Sequence, residues 1–169
     1  MDIKSKIVSV LLSTLSPKVA IIVIAMLPVF ELRLSIPLAI FQFHFSFIKA
    51  YILSVTGNIV IITPLLFLFK YLFGRLENIG ITGRFLKWWF NSVHRRSKVV
   101  EKWGFWGLVF FVSIPLPGTG AWTGAVAANL FDFRIKKAFI AITIGVLIAG
   151  ILVTLASMGV IKLWIPYNY

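Results

Sequence analysis

The length, composition and charge of this chain exclude most soluble proteins. It has 169 residues, enough for one domain, of which 60% are hydrophobic and only 13% are charged. Because a soluble domain has about 25% charged residues, we predict a single-domain integral membrane protein of the all-α class. The net charge of +12 then marks cytoplasmic loops and contact with anionic lipid rather than nucleic acid. The absence of cysteine from the sequence excludes thiol catalysis and thiolate metal sites.

The first half of the chain predicts an interfacial helix, a broken apolar segment and a membrane helix. Residues 1–17 carry two lysines and a weakly apolar run that contains serines, which favours an interfacial helix over a signal peptide. The 12 uncharged residues Val19–Phe30 end at Glu31 and Arg33, and a helix of that length spans roughly 18 Å, about half of the membrane. The 20 uncharged residues Ala50–Phe69 predict a transmembrane helix.

The second half follows a basic segment, residues 70–102, which the positive-inside rule places in the cytoplasm. Within it, Arg84–Val100 has apolar and cationic faces at helical spacing and predicts an amphipathic helix on the membrane surface. Trp103–Phe131 is uncharged but contains Pro115-Leu-Pro-Gly-Thr-Gly120, which cannot continue a regular helix. Ala138–Ile161, with 24 uncharged residues, predicts the second transmembrane helix.

The two halves resemble each other at an offset of 88 residues. The identical pairs are Phe43/Phe131, Phe45/Phe133, Lys49/Lys137, Ala50/Ala138, Ile52/Ile140 and Gly57/Gly145. Re-entrant hairpins would make these repeats inverted and full spans would make them parallel, and the counts of Lys and Arg do not distinguish the two. We divide the domain into an interfacial helix at 1–17, a first repeat at 18–69, a connector at 70–102, a second repeat at 103–161 and a tail at 162–169.

Glu31 and Arg33 are the strongest functional candidates, because ionisable groups inside an apolar segment are costly and usually mark a site. Burial disfavours the ionised carboxyl and a neighbouring arginine favours it, so we expect Glu31 to couple protons. Arg33 stays charged and can hold a phosphate or carboxylate through two hydrogen bonds. The alternative is a structural ion pair that braces the break.

The glycine-rich turn is the second candidate, since backbone N–H groups at the start of a helix suit an anion. Its predicted substrate-binding residues are Pro117, Gly118, Thr119, Gly120, Trp122 and Thr123. The alternative is a turn whose glycines allow close packing. Asp132 and Arg134 indicate interfacial anchors or, alternatively, an entrance that captures phosphate. No residues have the spacing of a metal site or a catalytic triad, so we expect no metal, no cofactor and no enzyme activity.

Three motifs resemble a known family. Glu31-Leu-Arg-Leu-Ser-Ile-Pro37 resembles the E-x-R-x-A/S-I-P element of the small multidrug export protein family. Ile114-Pro-Leu-Pro-Gly-Thr-Gly-Ala-Trp-Thr-Gly124 resembles its second hallmark, and Gly145–Gly150 matches as well. The resemblance covers about Leu15–Gly159, with Leu34 where the family usually has glycine.

The family is similar in layout to the DedA (VTT-domain) superfamily. This resemblance implies re-entrant hairpins in inverted repeats and lipid-linked transport. The superfamily's arginine motif around the second Pro-Gly is not present in this sequence, so phosphate binding would fall to Arg33.

Together these features predict a transporter or flippase for an anionic lipid or lipid-linked phosphate in the inner membrane, with a midplane site between the two broken segments. A proton-coupled exporter of small amphiphilic drugs and a non-transporting membrane scaffold are the alternatives. We expect anionic membrane lipids as partners and no nucleic acid, and the sequence leaves formation of a homo-oligomer open.

Overall fold

The fold of the chain is given by a computed structural model that describes residues 10, 11, 13–73, 91–116 and 118–164. Its main helices are α1 (Pro17–Met26), α2 (Glu31–Phe41), α3 (Phe47–Phe73), α4 (Lys98–Ser113), α5 (Ala121–Leu130) and α6 (Ile135–Trp164). Residues 91–96, which precede α4, are also helical. The described residues are helical or irregular and contain no strand, which agrees with the predicted all-α class. Most of the predicted N-terminal interfacial helix, much of the connector and Pro117 lie outside these residues.

Two helices are long and apolar enough to cross a bilayer. They run over Phe47–Leu72 and Ile135–Gly159, with mean hydropathies of 2.2 and 2.7. These spans contain most of both uncharged runs that the sequence identifies. The two predicted membrane-spanning helices are therefore present.

Each broken segment folds as a pair of short helices around an irregular turn. α1 and α2 contain 10 and 11 residues, so each extends only about 15 Å, and the two helices pack against each other. α4 and α5 also pack against each other. Each broken segment is thus a helical hairpin.

α4 reverses direction at Gly104, whose φ of 54° and ψ of −124° are not helical. A Cβ atom at Gly107 would overlap the backbone of Val99 and Val100, so the parts of α4 on either side of Gly104 lie against each other. Such backbone contact requires glycine, because any side chain would separate the two parts. The second part of α4, which packs against α5 in the second hairpin, therefore starts at residue 105.

The same helix crossing recurs in both repeats. A Cβ atom at Gly57 in α3 would overlap the carbonyl oxygen of Ile22 in α1. A Cβ atom at Gly145 in α6 would lie 2.6 Å from the Cβ of Val112 and 2.9 Å from the carbonyl oxygen of Val109, both in α4. The glycines are 88 residues apart and their partners 87. The sequence repeat therefore corresponds to an equivalent contact between a hairpin and the long helix that follows it.

The Phe-x-Phe corners also have the same backbone conformation. Their central residues, His44 and Asp132, both have a φ of 50°, a left-handed value that residues other than glycine rarely adopt. The helices that follow begin at Phe47 and Ile135, again 88 residues apart. The corner is therefore a repeated structural element as well as a repeated sequence.

The chain divides into two compact units. One contains the described residues of Met1–Asn58 and Gly150–Tyr169, and the other contains those of Ile59–Ala149. Each unit thus has one hairpin, the first half of the long helix that follows it, and the second half of the other long helix.

We expect Asn58→Leu to lower the free energy of unfolding by about 1–3 kcal/mol. The buried Asn58 amide donates a 2.8 Å hydrogen bond to the carbonyl oxygen of Ala25 in the last turn of α1, where no intrahelical donor is available. Thermal unfolding in detergent measures the change. Thr56→Val is the matched control, since the exposed Thr56 hydroxyl donates within its own helix to Ile52. Equal effects of the two variants would contradict the assignment.

Candidate functional site

The turn of the first hairpin places Glu31 and Arg33 together. The carboxylate Oε2 of Glu31 lies 3.6 Å from Nη2 of Arg33, and the two side chains are 7% and 30% exposed. Glu31 is also the first residue of α2, where the positive end of the helix dipole favours a negative charge. The pair thus lies at the break between the two helices, and about a third of the Arg33 side chain stays exposed.

The backbone of this turn is strained at Glu31, which has a φ of 44°. A left-handed conformation costs a residue with a side chain roughly 1–2 kcal/mol, and such strain concentrates at functional turns.

Leu34, which replaces the glycine usual in the resembled family, is an ordinary helical residue whose N–H bonds to the Phe30 carbonyl oxygen. The departure from the family pattern therefore leaves α2 intact.

Ser35 is a polar residue that the sequence analysis missed. It is fully buried, and its hydroxyl has no hydrogen-bond partner among the residues that the structure describes. It follows Glu31 by four residues, so both occupy one face of α2. The signal for it was the Glu-x-x-x-Ser spacing inside an apolar helix.

The turn of the second hairpin is shaped by glycine and threonine. Gly118 and Gly120 have φ values of 89° and 116°, which favour glycine. The Thr119 hydroxyl lies 2.5 and 2.7 Å from the carbonyl oxygens of Ile114 and Leu116, and it accepts a 3.1 Å bond from the Leu116 N–H. Thr119 therefore closes the turn, and a contact between this hydroxyl and substrate stays a prediction.

The other predicted residues occupy separate places. Trp122 packs edge-on against Phe69, with ring centroids 6.3 Å apart, and the buried Thr123 hydroxyl lies 3.4 Å from the Gly120 carbonyl oxygen. Asp132 and Arg134 are exposed beyond the far end of α5, a helix about 15 Å long. The structure therefore does not bring this pair to the hairpin turn. Among the described residues, no three His, Asp or Glu side chains are grouped to hold a metal.

Arg96 is the charged residue that sequence analysis did not place at this turn. A Cβ atom at Gly118 would overlap Nη1 of Arg96 and lie 3.3 Å from its Cζ. The guanidinium thus lies directly against the glycine turn. The reversal at Gly104 makes this possible, because it returns the start of α4 to the end of the same helix. A regular helix that continued through Gly104 would place Arg96 far from the turn at Gly118.

A comparison with protein families finds one family that matches most of the chain. Residues 31–152 match the family described as "Putative small multi-drug export protein". The chain belongs to this family. The matched region starts at Glu31 and includes α2, α3, α4, α5 and more than half of α6. No curated protein and no solved structure matches the chain. Membership of this family, together with the two long apolar helices, indicates a membrane transporter, whereas similarity to the DedA superfamily stays a prediction.

Proposed function

We propose that this family member transports an anionic lipid or a lipid-linked phosphate across the cytoplasmic membrane. The observation that carries the proposal is the partly exposed Arg33 guanidinium, held by the buried Glu31 at the break between two short helices. A phosphate accepts two parallel hydrogen bonds from a guanidinium. Glu31 is thus the internal counter-ion that an incoming headgroup replaces.

The exchange of partners gives a route for proton coupling. When a phosphate takes the Arg33 guanidinium, the Glu31 carboxylate loses this counter-charge in a site where only 7% of its side chain is exposed. Burial without a counter-charge disfavours the ionised carboxylate, and uptake of a proton from water relieves that cost. When the headgroup leaves, Arg33 pairs with Glu31 again and the proton is released. One headgroup and one proton would therefore move through the same cycle.

The proposed topology makes both hairpins re-entrant. Helices of about 15 Å reach only half of the hydrocarbon, and irregular turns are tolerated at that depth where protein or a wet cavity covers them. With α3 as the single crossing between equivalent points, the second repeat is inverted relative to the first. The connector then lies in the cytoplasm. Inverted repeats with interrupted helices are a common architecture of secondary transporters.

Reconstitution into liposomes tests the proposal. We expect the wild-type protein to move a headgroup-labelled phosphatidic acid between leaflets, as measured by chemical quenching of the outer leaflet, and Arg33→Ala to slow this at least about tenfold, since a charge-assisted bond is lost. Lys18→Ala is the control, because Lys18 is an exposed cation in the first turn of α1. Wild-type rates for Arg33→Ala would exclude the proposed role of Arg33.

The description of the family favours a second candidate, a proton-coupled exporter of small amphiphilic drugs. In that case Glu31 is the counter-charge for a cationic drug, and Arg33 serves to hold it. Glu31→Gln would then abolish export of a cationic amphiphile from cells while lipid movement in liposomes is unaffected. A loss of lipid movement on replacement of Arg33 favours the first candidate.

A further inference from the structure

The turn of the second hairpin adjoins a cavity of about 540 Å³, and Thr119 is the one predicted site residue in its lining. Arg96 and Thr119 form its polar part. The rest of its lining is apolar and consists of Val99, Phe110, Phe111, Ile114 and Leu116. One cation thus faces a wall of aliphatic and aromatic side chains, which is the arrangement that an amphiphile with an anionic headgroup requires.

The charges around the cavity favour an anion. None of the residues that the structure places in its lining is acidic. The neighbouring described positions in sequence include Arg95, Lys98 and Lys102, with Glu101 as the acidic residue among them. All four of these side chains are exposed. The local potential is therefore positive, and it would attract the headgroup of an anionic lipid from the membrane surface.

The fold places the guanidinium of Arg96, an exposed residue, beside the glycine turn. Its guanidinium lies against Gly118, where a side chain would overlap it. The reversal at Gly104 and the backbone contact at Gly107 hold the two parts of α4 together. A guanidinium that is oriented before binding loses less conformational freedom when a phosphate arrives.

We propose that this cavity binds the phosphate headgroup of an anionic lipid, with Arg96 as the headgroup contact and Phe110 and Phe111 as part of the wall for the acyl chain. The volume is in the usual range for small-molecule pockets of about 300–1,000 Å³. The site belongs to the second hairpin and is separate from Arg33. It extends the proposed function by naming a second headgroup contact, but it requires only binding and not transport.

Native mass spectrometry of the full-length protein, released from detergent with dioleoyl phosphatidic acid, tests this site. We expect the wild-type protein to retain two molecules of phosphatidic acid in preference to phosphatidylcholine. Arg96→Gln should lose one of them, with roughly tenfold weaker retention at that site. Arg95→Gln, which removes the same charge from the neighbouring exposed position, should retain both within about twofold. Thermal unfolding of each variant shows that the protein is folded.

The possible outcomes separate this site from the proposed transport. Unchanged binding by Arg96→Gln, or equal losses for Arg96→Gln and Arg95→Gln, would overturn the site. Displacement of the second lipid by millimolar inorganic phosphate would overturn the lipid as occupant, because the apolar wall would then contribute nothing. Loss of one lipid in Arg96→Gln supports the site even if no lipid moves in liposomes. A failure of the wild-type protein to move lipid would contradict only the proposed function.

Discussion

Replacing Arg33 with Gln is expected to destabilise the protein more than replacing Glu31 and Arg33 together. The single change removes the counter-charge of a carboxylate whose side chain is 7% exposed. The double change leaves no charge at the break. Removal of one partner from a fully buried pair costs about 3–5 kcal/mol. Because 30% of the Arg33 side chain is exposed, we expect about 1–3 kcal/mol here after allowing for solvent screening. Differential scanning fluorimetry in detergent measures both variants.

The same pair of variants separates bracing from transport. If the ion pair also binds substrate, E31Q/R33Q should regain most of its unfolding temperature but remain unable to move lipid in liposomes. If the ion pair only braces the break, the double variant should regain both its unfolding temperature and its lipid movement. Glu101→Gln is the control for loss of an acidic charge, because Glu101 is exposed in the first turn of α4. An Arg33→Gln protein as stable as the double variant would contradict the assigned pair.

The second large effect is expected for Gly57→Ala. The new Cβ atom would overlap the carbonyl oxygen of Ile22 and lie 3.0 Å from the Cβ of Ala25. A backbone oxygen cannot rotate away as a side chain can, so α1 must move off α3. That displacement also stretches the bond from Asn58 to Ala25. Overpacking of this kind costs about 1–3 kcal/mol and sometimes more, so we expect a lower yield of folded protein and a lower unfolding temperature.

Gly159→Ala is the matched control for this substitution. It lies in the other long helix, and nothing described comes within 4 Å of the position that its Cβ would occupy. Alanine in place of glycine in a helix stabilises by roughly 0.5–1 kcal/mol when there is space. Opposite effects of the two substitutions on the unfolding temperature are therefore expected. A Gly57→Ala protein with the stability of the wild type would show that the crossing is not as close as described.

Much of the fold could be predicted from the sequence because its signals are local. Uncharged runs identified both long helices, and proline and glycine identified the irregular turns. The repeated Gly57 and Gly145 were visible as letters at one offset, although their role as points of close helix crossing requires coordinates. Glu31 and Arg33 stood out because charges are rare in apolar segments.

The position of Arg96 could not be predicted because it depends on one backbone conformation. The sequence around it has helical spacing, and a helix that continued through Gly104 would separate Arg96 from the turn at Gly118. Gly104 permits the reversal, but the presence of a glycine does not predict one, since glycine also occurs inside membrane helices. Likewise, the sequence suggested that the Thr119 hydroxyl binds a ligand. Its hydrogen bonds to the backbone of the turn could be identified only from the structure.

The first compact unit consists of two segments that are far apart in the sequence, and this affects when it can fold during synthesis of the chain. Its long helix is covered in part by residues from near the C-terminus, since Tyr51 and Val55 pack against Gly150. A nascent chain that has emerged only as far as residue 149 lacks the surface that these side chains contact. The first hairpin can therefore form early, but its unit cannot be completed until the second half of α6 has been translated. Premature termination before Gly150 would thus leave Tyr51 and Val55 without this contact.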